Sequence, residues 1–183
     1  MPPSAGPPYG PRQVVFSHGK ESGPWGLKIR RLAAVAAAAG YAVDSLDYQG
    51  IDDPALRVAK LVAAGRSAAG PLVLVGSSLG GHVCTAAAAV LPVRGVFLLA
   101  PAFLMPGHEA LTPPVPDCPV AIVHGWHDDI VPVEHSLRWA RARAVAVHLL
   151  DGDHRLHALL PEIERLFAGF LAGLETGGGP GPQ

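Results

Sequence analysis

The chain has 183 residues, of which 49% are hydrophobic and 16% charged, with a formal net charge of −1. This is the composition of a globular domain with a sizeable core, and it excludes a disordered chain. Without a basic block there is no electrostatic footprint for nucleic acid or a membrane surface, and no apolar stretch reaches transmembrane length.

Met1 to Pro11 is rich in proline and glycine and lacks an apolar core, so it reads as a disordered leader rather than a secretory signal, with a cytoplasmic location expected. A single domain is expected over residues 12–174. Its first strand is Arg12–Ser17, followed by a Gly/Pro loop, His18 to Gly26. Leu27 to Ala39 has helical spacing, with Gly40 placed to cap its end. Tyr41–Asp47 reads as a second strand. Asp52-Asp53-Pro54 supplies an acidic N-cap and a proline near the first helical position for a helix running to about Ala69. The apolar run Leu72–Val75 is a buried strand, and the alanine-rich stretch His82–Val90 a helix. Val93–Ala100 is the next strand. Six prolines between Pro101 and Pro119 predict an irregular excursion. Strand Val120–His124, helix Val133–Arg143, strand Ala144–Leu150 and an amphipathic helix over Pro161–Leu174 complete the domain. Glu175 to Gln183 reads as a disordered Gly/Pro tail. Cys84 and Cys118 are too few for a disulfide framework and read as buried thiols.

Strands alternating with helices predict an α/β fold: a mainly parallel sheet of about six strands with helices on both faces. Ligands of such sheets sit at the carboxyl ends of the strands. The Leu72–Val75 strand ends in Gly76-Ser77-Ser78-Leu79-Gly80. Glycines two before and two after the apex let strand and helix pass without a Cβ clash, while Ser78 is held at the positive end of the following helix. A serine hydroxyl needs a base to become a nucleophile at neutral pH. Asp128 follows the Val120–His124 strand and His154 follows the last strand. His154 is placed to take the Ser78 proton, and Asp128 to fix the imidazole and steady its charged form.

Each position has a rival. Asp129 competes with Asp128, and the spacing to Val131-Pro132 favours Asp128. His148 lies within its strand and His157 beyond its end, which favours His154. His82 is read as structural and Lys20 as solvated. His124 and His127 beside Asp128 and Asp129 do not have a recognised helical ligand spacing, so no metal is expected.

Taken together, His18-Gly19, Gly76-Ser-Ser78-Leu-Gly80-Gly81, His124-Gly-x-x-Asp128-x-x-Val131-Pro132 and Gly152-Asp-His154 resemble the α/β-hydrolases of the small, lidless kind. The resemblance spans nearly all of residues 12 to 173 and implies an α/β-hydrolase fold without a cap domain. It implies a serine esterase or thioesterase acting on a small molecule through an acyl-enzyme, with no cofactor. It also implies an oxyanion hole made from the backbone N–H groups of Leu79 and Lys20. His18, Trp25, Phe103, Met105 and Trp126 are candidates for the substrate pocket. The alternative is a non-catalytic protein of the same fold that binds a ligand or partner. The small sheet leaves room for a homodimer.

Overall fold

The inner strands are largely apolar runs because they are covered on both faces, whereas the two edge strands are more exposed. The computed structural model describes residues 10–176. In chain order it contains β1 (Gln13–Ser17), α1 (Leu27–Ala38), β2 (Ala42–Leu46), α2 (Pro54–Arg66), β3 (Leu72–Ser77), α3 (Leu79–Ala88), β4 (Val93–Leu99), β5 (Val120–Gly125), α4 (Val133–Ala140), β6 (Ala146–Leu150) and α5 (Leu160–Thr176). The six strands form one sheet in the order β2-β1-β3-β4-β5-β6, and every pairing is parallel.

Alternate residues of each strand serve opposite faces. Phe16, Val73, Val75, Phe97 and Val123 pack under α1 and α5 with Leu32, Ile163 and Phe167. Val15, Leu74, Leu98 and Ile122 pack under α2, α3 and α4 with Leu61, Val83 and Trp139. Local signals set several boundaries. The Asp53 carboxylate accepts from Ala55 N–H at 2.8 Å and caps α2, whose first residue is Pro54. Gly40, at φ +83°, closes α1, with Gly40 N–H donating to Ala37 O and Tyr41 N–H to Ala36 O, both at 3.0 Å.

Several boundaries differ from the sequence expectation, most by one to three residues, and the following have a local cause. Strand β3 runs on to Ser77, and α3 begins at Leu79 rather than His82, because the helix starts immediately after the elbow. Strand β6 starts at Ala146, since Ala144 is spent in a turn at φ +51°. Helix α5 continues to Thr176, two residues into the segment read as a tail. Glu175 is held there by Tyr41 Oη, which donates to it at 2.7 Å, and by Arg12 at 2.6 Å. The remainder of that tail, and residues 1–9 of the leader, lie outside the described residues.

The proline-rich excursion is pinned rather than draped. Phe103 stacks on Trp139 with ring centroids 4.4 Å apart, and Trp139 Nε1–H donates to Pro113 O at 2.7 Å. Among the described residues no further domain covers the sheet. No helix there is long and apolar enough to cross a membrane.

The chain leaves β1 for β2 on one side and returns to β3 on the other. This reversal opens a crevice at the carboxyl ends of β1 and β3, where such sheets bind ligands. The loop after β1 and the elbow after β3 face each other across it.

Candidate active site

Ser78 stands at the apex between β3 and α3 with φ +53° and ψ −119°, a conformation non-glycine residues rarely adopt. The elbow holds it there. Ser78 N–H donates to Leu99 O at 2.9 Å, and Ser78 O accepts from Gly81 N–H at 2.9 Å and Ala102 N–H at 3.0 Å. A Cβ on Gly80 would lie 2.0 Å from Ser17 O, and one on Gly76 would lie 2.3 Å from Gly80 O. Both glycines are therefore required by close backbone approach.

His154 enters from the loop after β6. Its Nδ1–H donates to Asp128 Oδ2 at 2.7 Å, and its Nε2 lies 3.1 Å from Ser78 Oγ. With the proton on Nδ1, Nε2 is the acceptor for the serine hydroxyl. The histidine loop is itself tied down: Asp153 Oδ1 accepts from Leu156 N–H at 2.9 Å, and Leu156 turns through the left-handed region at φ +58°.

The Asp128 side chain is fully buried. Its Oδ1 accepts from the N–H groups of Ile130 (2.9 Å) and Val131 (2.8 Å). Its Oδ2 accepts from His154 and also from His124 Nε2–H at 2.9 Å. Burial pushes this carboxyl up, but the four N–H donors outweigh it and hold the group well below the usual carboxylate range. It is an anion throughout the physiological range. Asp129 is exposed.

Sequence reasoning missed the part played by His124. It is fully buried at the end of β5; its Nε2–H is shared between Asp128 Oδ2 and Val131 O, and its Nδ1 accepts from Ser136 Oγ at 2.8 Å. His127 turns the other way, to Asp151 at 2.8 Å on the surface. A histidine closing an apolar strand needs polar partners, and that requirement was the available signal.

Leu79 opens α3, where backbone N–H groups have no intrahelical partner. Lys20 follows Gly19, and a Cβ on Gly19 would lie 3.4 Å from Ser78 Cβ, so this loop packs on the elbow. A cavity of about 140 Å³ lies beside it, lined by Ser22, Gly23, Lys28, Ser77 and His157 among others. Lys28, on the first turn of α1, is half-buried there. Burial pulls its ammonium down to about 8, against a partial pull upward from Asp128 and Asp153.

The expected pocket residues do not form one set. His18 lines this cavity but is 1% exposed, with both ring nitrogens committed to backbone. Phe103 is corrected to a core residue: it is fully buried and stacked on Trp139. Trp25 and Trp126 are 43% and 53% exposed in the loops after β1 and β5, and Met105 is half-buried in the excursion.

A serine, a neutral imidazole and a buried carboxylate in hydrogen-bonded series can activate a hydroxyl for attack on a carbonyl. The model of the Alpha/beta hydrolase family matches residues 14–180. No curated protein matches the chain. Among solved structures, it is similar to a protein from Xanthomonas campestris pv. campestris assigned as a hydrolase of the alpha/beta superfamily, at 34% identity over 88% of this chain and 98% of that one, with a TM-score of 0.80. It is similar to mouse alpha/beta hydrolase domain-containing protein 10 at 24% identity over 88% and 90% of the two chains, with a TM-score of 0.74. It is also similar to Est1E from Butyrivibrio proteoclasticus at 16% identity over 91% and 89%, with a TM-score of 0.78. The last two likenesses are of fold alone.

Proposed function

The chain belongs to the alpha/beta hydrolase family, and from that premise we propose that it is a serine hydrolase cleaving a small carboxylic ester or thioester through an acyl-enzyme. The observation that supports this reading is the unbroken hydrogen-bond series from Ser78 Oγ through His154 to Asp128. Ser78 Oγ attacks the substrate carbonyl carbon as His154 Nε2 takes its proton. Asp128 stabilises the imidazolium and keeps its orientation. The N–H groups of Leu79 and Lys20 receive the oxyanion, each such donor being worth about 3–4 kcal/mol when one is removed. As the tetrahedral intermediate collapses, His154 passes its proton to the leaving alcohol or thiol. Water then attacks the acyl group with His154 as base, releasing the acid and restoring the serine. Among the described residues no cap domain covers the carboxyl ends of the strands, which suits small acyl groups.

Intact-mass analysis after treatment with a fluorophosphonate tests this reading. One adduct is expected on the wild type and none on Ser78→Ala, with both proteins folded by circular dichroism. A folded wild type that takes up no adduct would sink the proposal and favour a ligand-binding protein of the same fold.

A further inference from the structure

Arg57 is the largest fully buried side chain, and the mechanism above makes no use of it. It projects from α2 and is 2% exposed. Among the described residues it forms no salt bridge. Its partners are carbonyls. Nε donates to Ile51 O at 2.6 Å, and Nη1 lies 3.4 Å from both His18 O and Gly19 O. The guanidinium also stands 5.3 Å over the Tyr48 ring.

His18 joins it on the same carbonyl. Tyr48 N–H donates to His18 Nε2 at 2.9 Å, so the imidazole proton sits on Nδ1, which donates to Gly19 O at 2.7 Å. Gly19 O therefore receives two donors. The peptide that carries it also carries the N–H of Lys20. That peptide is planar and trans, so its C=O and N–H point in opposite directions. Drawing the carbonyl toward Arg57 and His18 turns the N–H away from them. Gly19 itself packs on the elbow, where a Cβ would meet Ser78 Cβ at 3.4 Å and Ser77 O at 3.5 Å.

We propose that Arg57 is a positioning residue for acyl transfer: with His18 it clamps the Gly19 carbonyl, so that the Lys20 N–H is aimed at the oxyanion formed on attack by Ser78. This rests on the serine-hydrolase reading. Hydrogen bonds to the carbonyl also polarise the peptide and make its N–H a stronger donor. A buried cation that no carboxylate touches is unfavourable in the resting protein, a cost that the more distant charge of Asp52 offsets only in part. Negative charge developing on a substrate oxygen held by the Lys20 N–H would be stabilised through this polarised peptide. Little reorganisation is then needed at the moment of reaction.

The test is the kinetics of fluorophosphonate labelling, because phosphonylation of Ser78 builds negative charge on the phosphoryl oxygen in the same hole. Arg57→Met, which removes charge and donors, and Arg57→Gln, which keeps a neutral donor, are compared with wild type. The maximal labelling rate is expected to fall about 10- to 100-fold in Arg57→Met and less in Arg57→Gln, on the scale of a lost oxyanion donor. The half-saturating probe concentration should stay within about twofold, since probe binding makes no contact with Arg57. The Lys20 amide resonance should shift while that of Leu79 does not. A wild-type maximal rate in either variant, folded by circular dichroism, would overturn the proposal. If Arg57→Met does not fold, Arg57→Gln decides. A wild type that fails to label would overturn the parent reading, and this inference with it, whereas normal labelling of all three proteins would overturn this inference alone.

Discussion

Lys28 shows how a single residue can keep stability in tension with a site. Its ammonium is half-buried beside the cavity, and its value near 8 means that the folded state disfavours the charged form. The unfolded chain has an ordinary lysine near 10.5. Below pH 8 both states hold the proton, and the full cost of the buried charge is present. Between pH 8 and 10.5 the folded protein has released a proton that the unfolded chain retains, so the cost shrinks and stability rises with pH. Lys28→Met keeps the aliphatic stem and removes the charge. It should raise unfolding stability by about 2 kcal/mol at pH 7, after discounting for partial exposure, and by less than half of that at pH 10. Urea denaturation of both proteins at the two pH values measures the difference. A gain that does not change with pH would show that packing, not charge, is responsible. Neither Lys28 nor Arg57 was legible in the sequence, because burial of a charged side chain on an amphipathic helix depends on how loops close over it. Ser78, Asp128 and His154 were legible, because each follows a strand in the order the fold requires, and the structure brings the three side chains together.

At the scale of elements, the inner strands announced themselves as apolar runs and α2 by its Asp52-Asp53-Pro54 start. The beginning of α3 did not, because Gly80 and Gly81 lower helix propensity where the helix starts. Those glycines answer to tertiary contact instead, which a local reading cannot weigh. Two substitutions with opposite signs check this account. Gly80→Ala would drive a methyl to 2.0 Å from Ser17 O, backbone that cannot give way easily. It should cost on the order of 3 kcal/mol or more. Ala144 sits exposed at φ +51° in the turn before β6. Ala144→Gly should relieve the left-handed strain and stabilise by about 0.5–1 kcal/mol, after the entropy lost by glycine is subtracted. Thermal unfolding of the two variants should move the melting temperature in opposite directions. Destabilisation by Ala144→Gly, or indifference to Gly80→Ala, would mean that backbone strain and close approach do not govern these turns.

At the scale of the whole molecule, the candidate site has no local existence. Its groups come from the ends of β1, β3, β5 and β6. Ser78 and His154 are 76 residues apart in the chain. Their relative position is set by the order of strands in one sheet and by the two layers of helices that cover it. A defect deep under one layer should therefore weaken the site and the fold together. Phe167 of α5 is fully buried, with its ring 5.0 Å from that of Phe97 on β4. Phe167→Ala should cost about 3–5 kcal/mol through lost burial and the cavity left behind. In a urea titration, fluorophosphonate reactivity of Ser78 and the helical circular dichroism signal should disappear at one shared midpoint, and that midpoint should fall in the variant without a change in slope. The alternative outcome is loss of reactivity at clearly lower urea than loss of helix. That would mean that the loops carrying His18, Asp128 and His154 melt while the sheet persists, and that their own hydrogen bonds, rather than the packed core, set the limit of the site's stability.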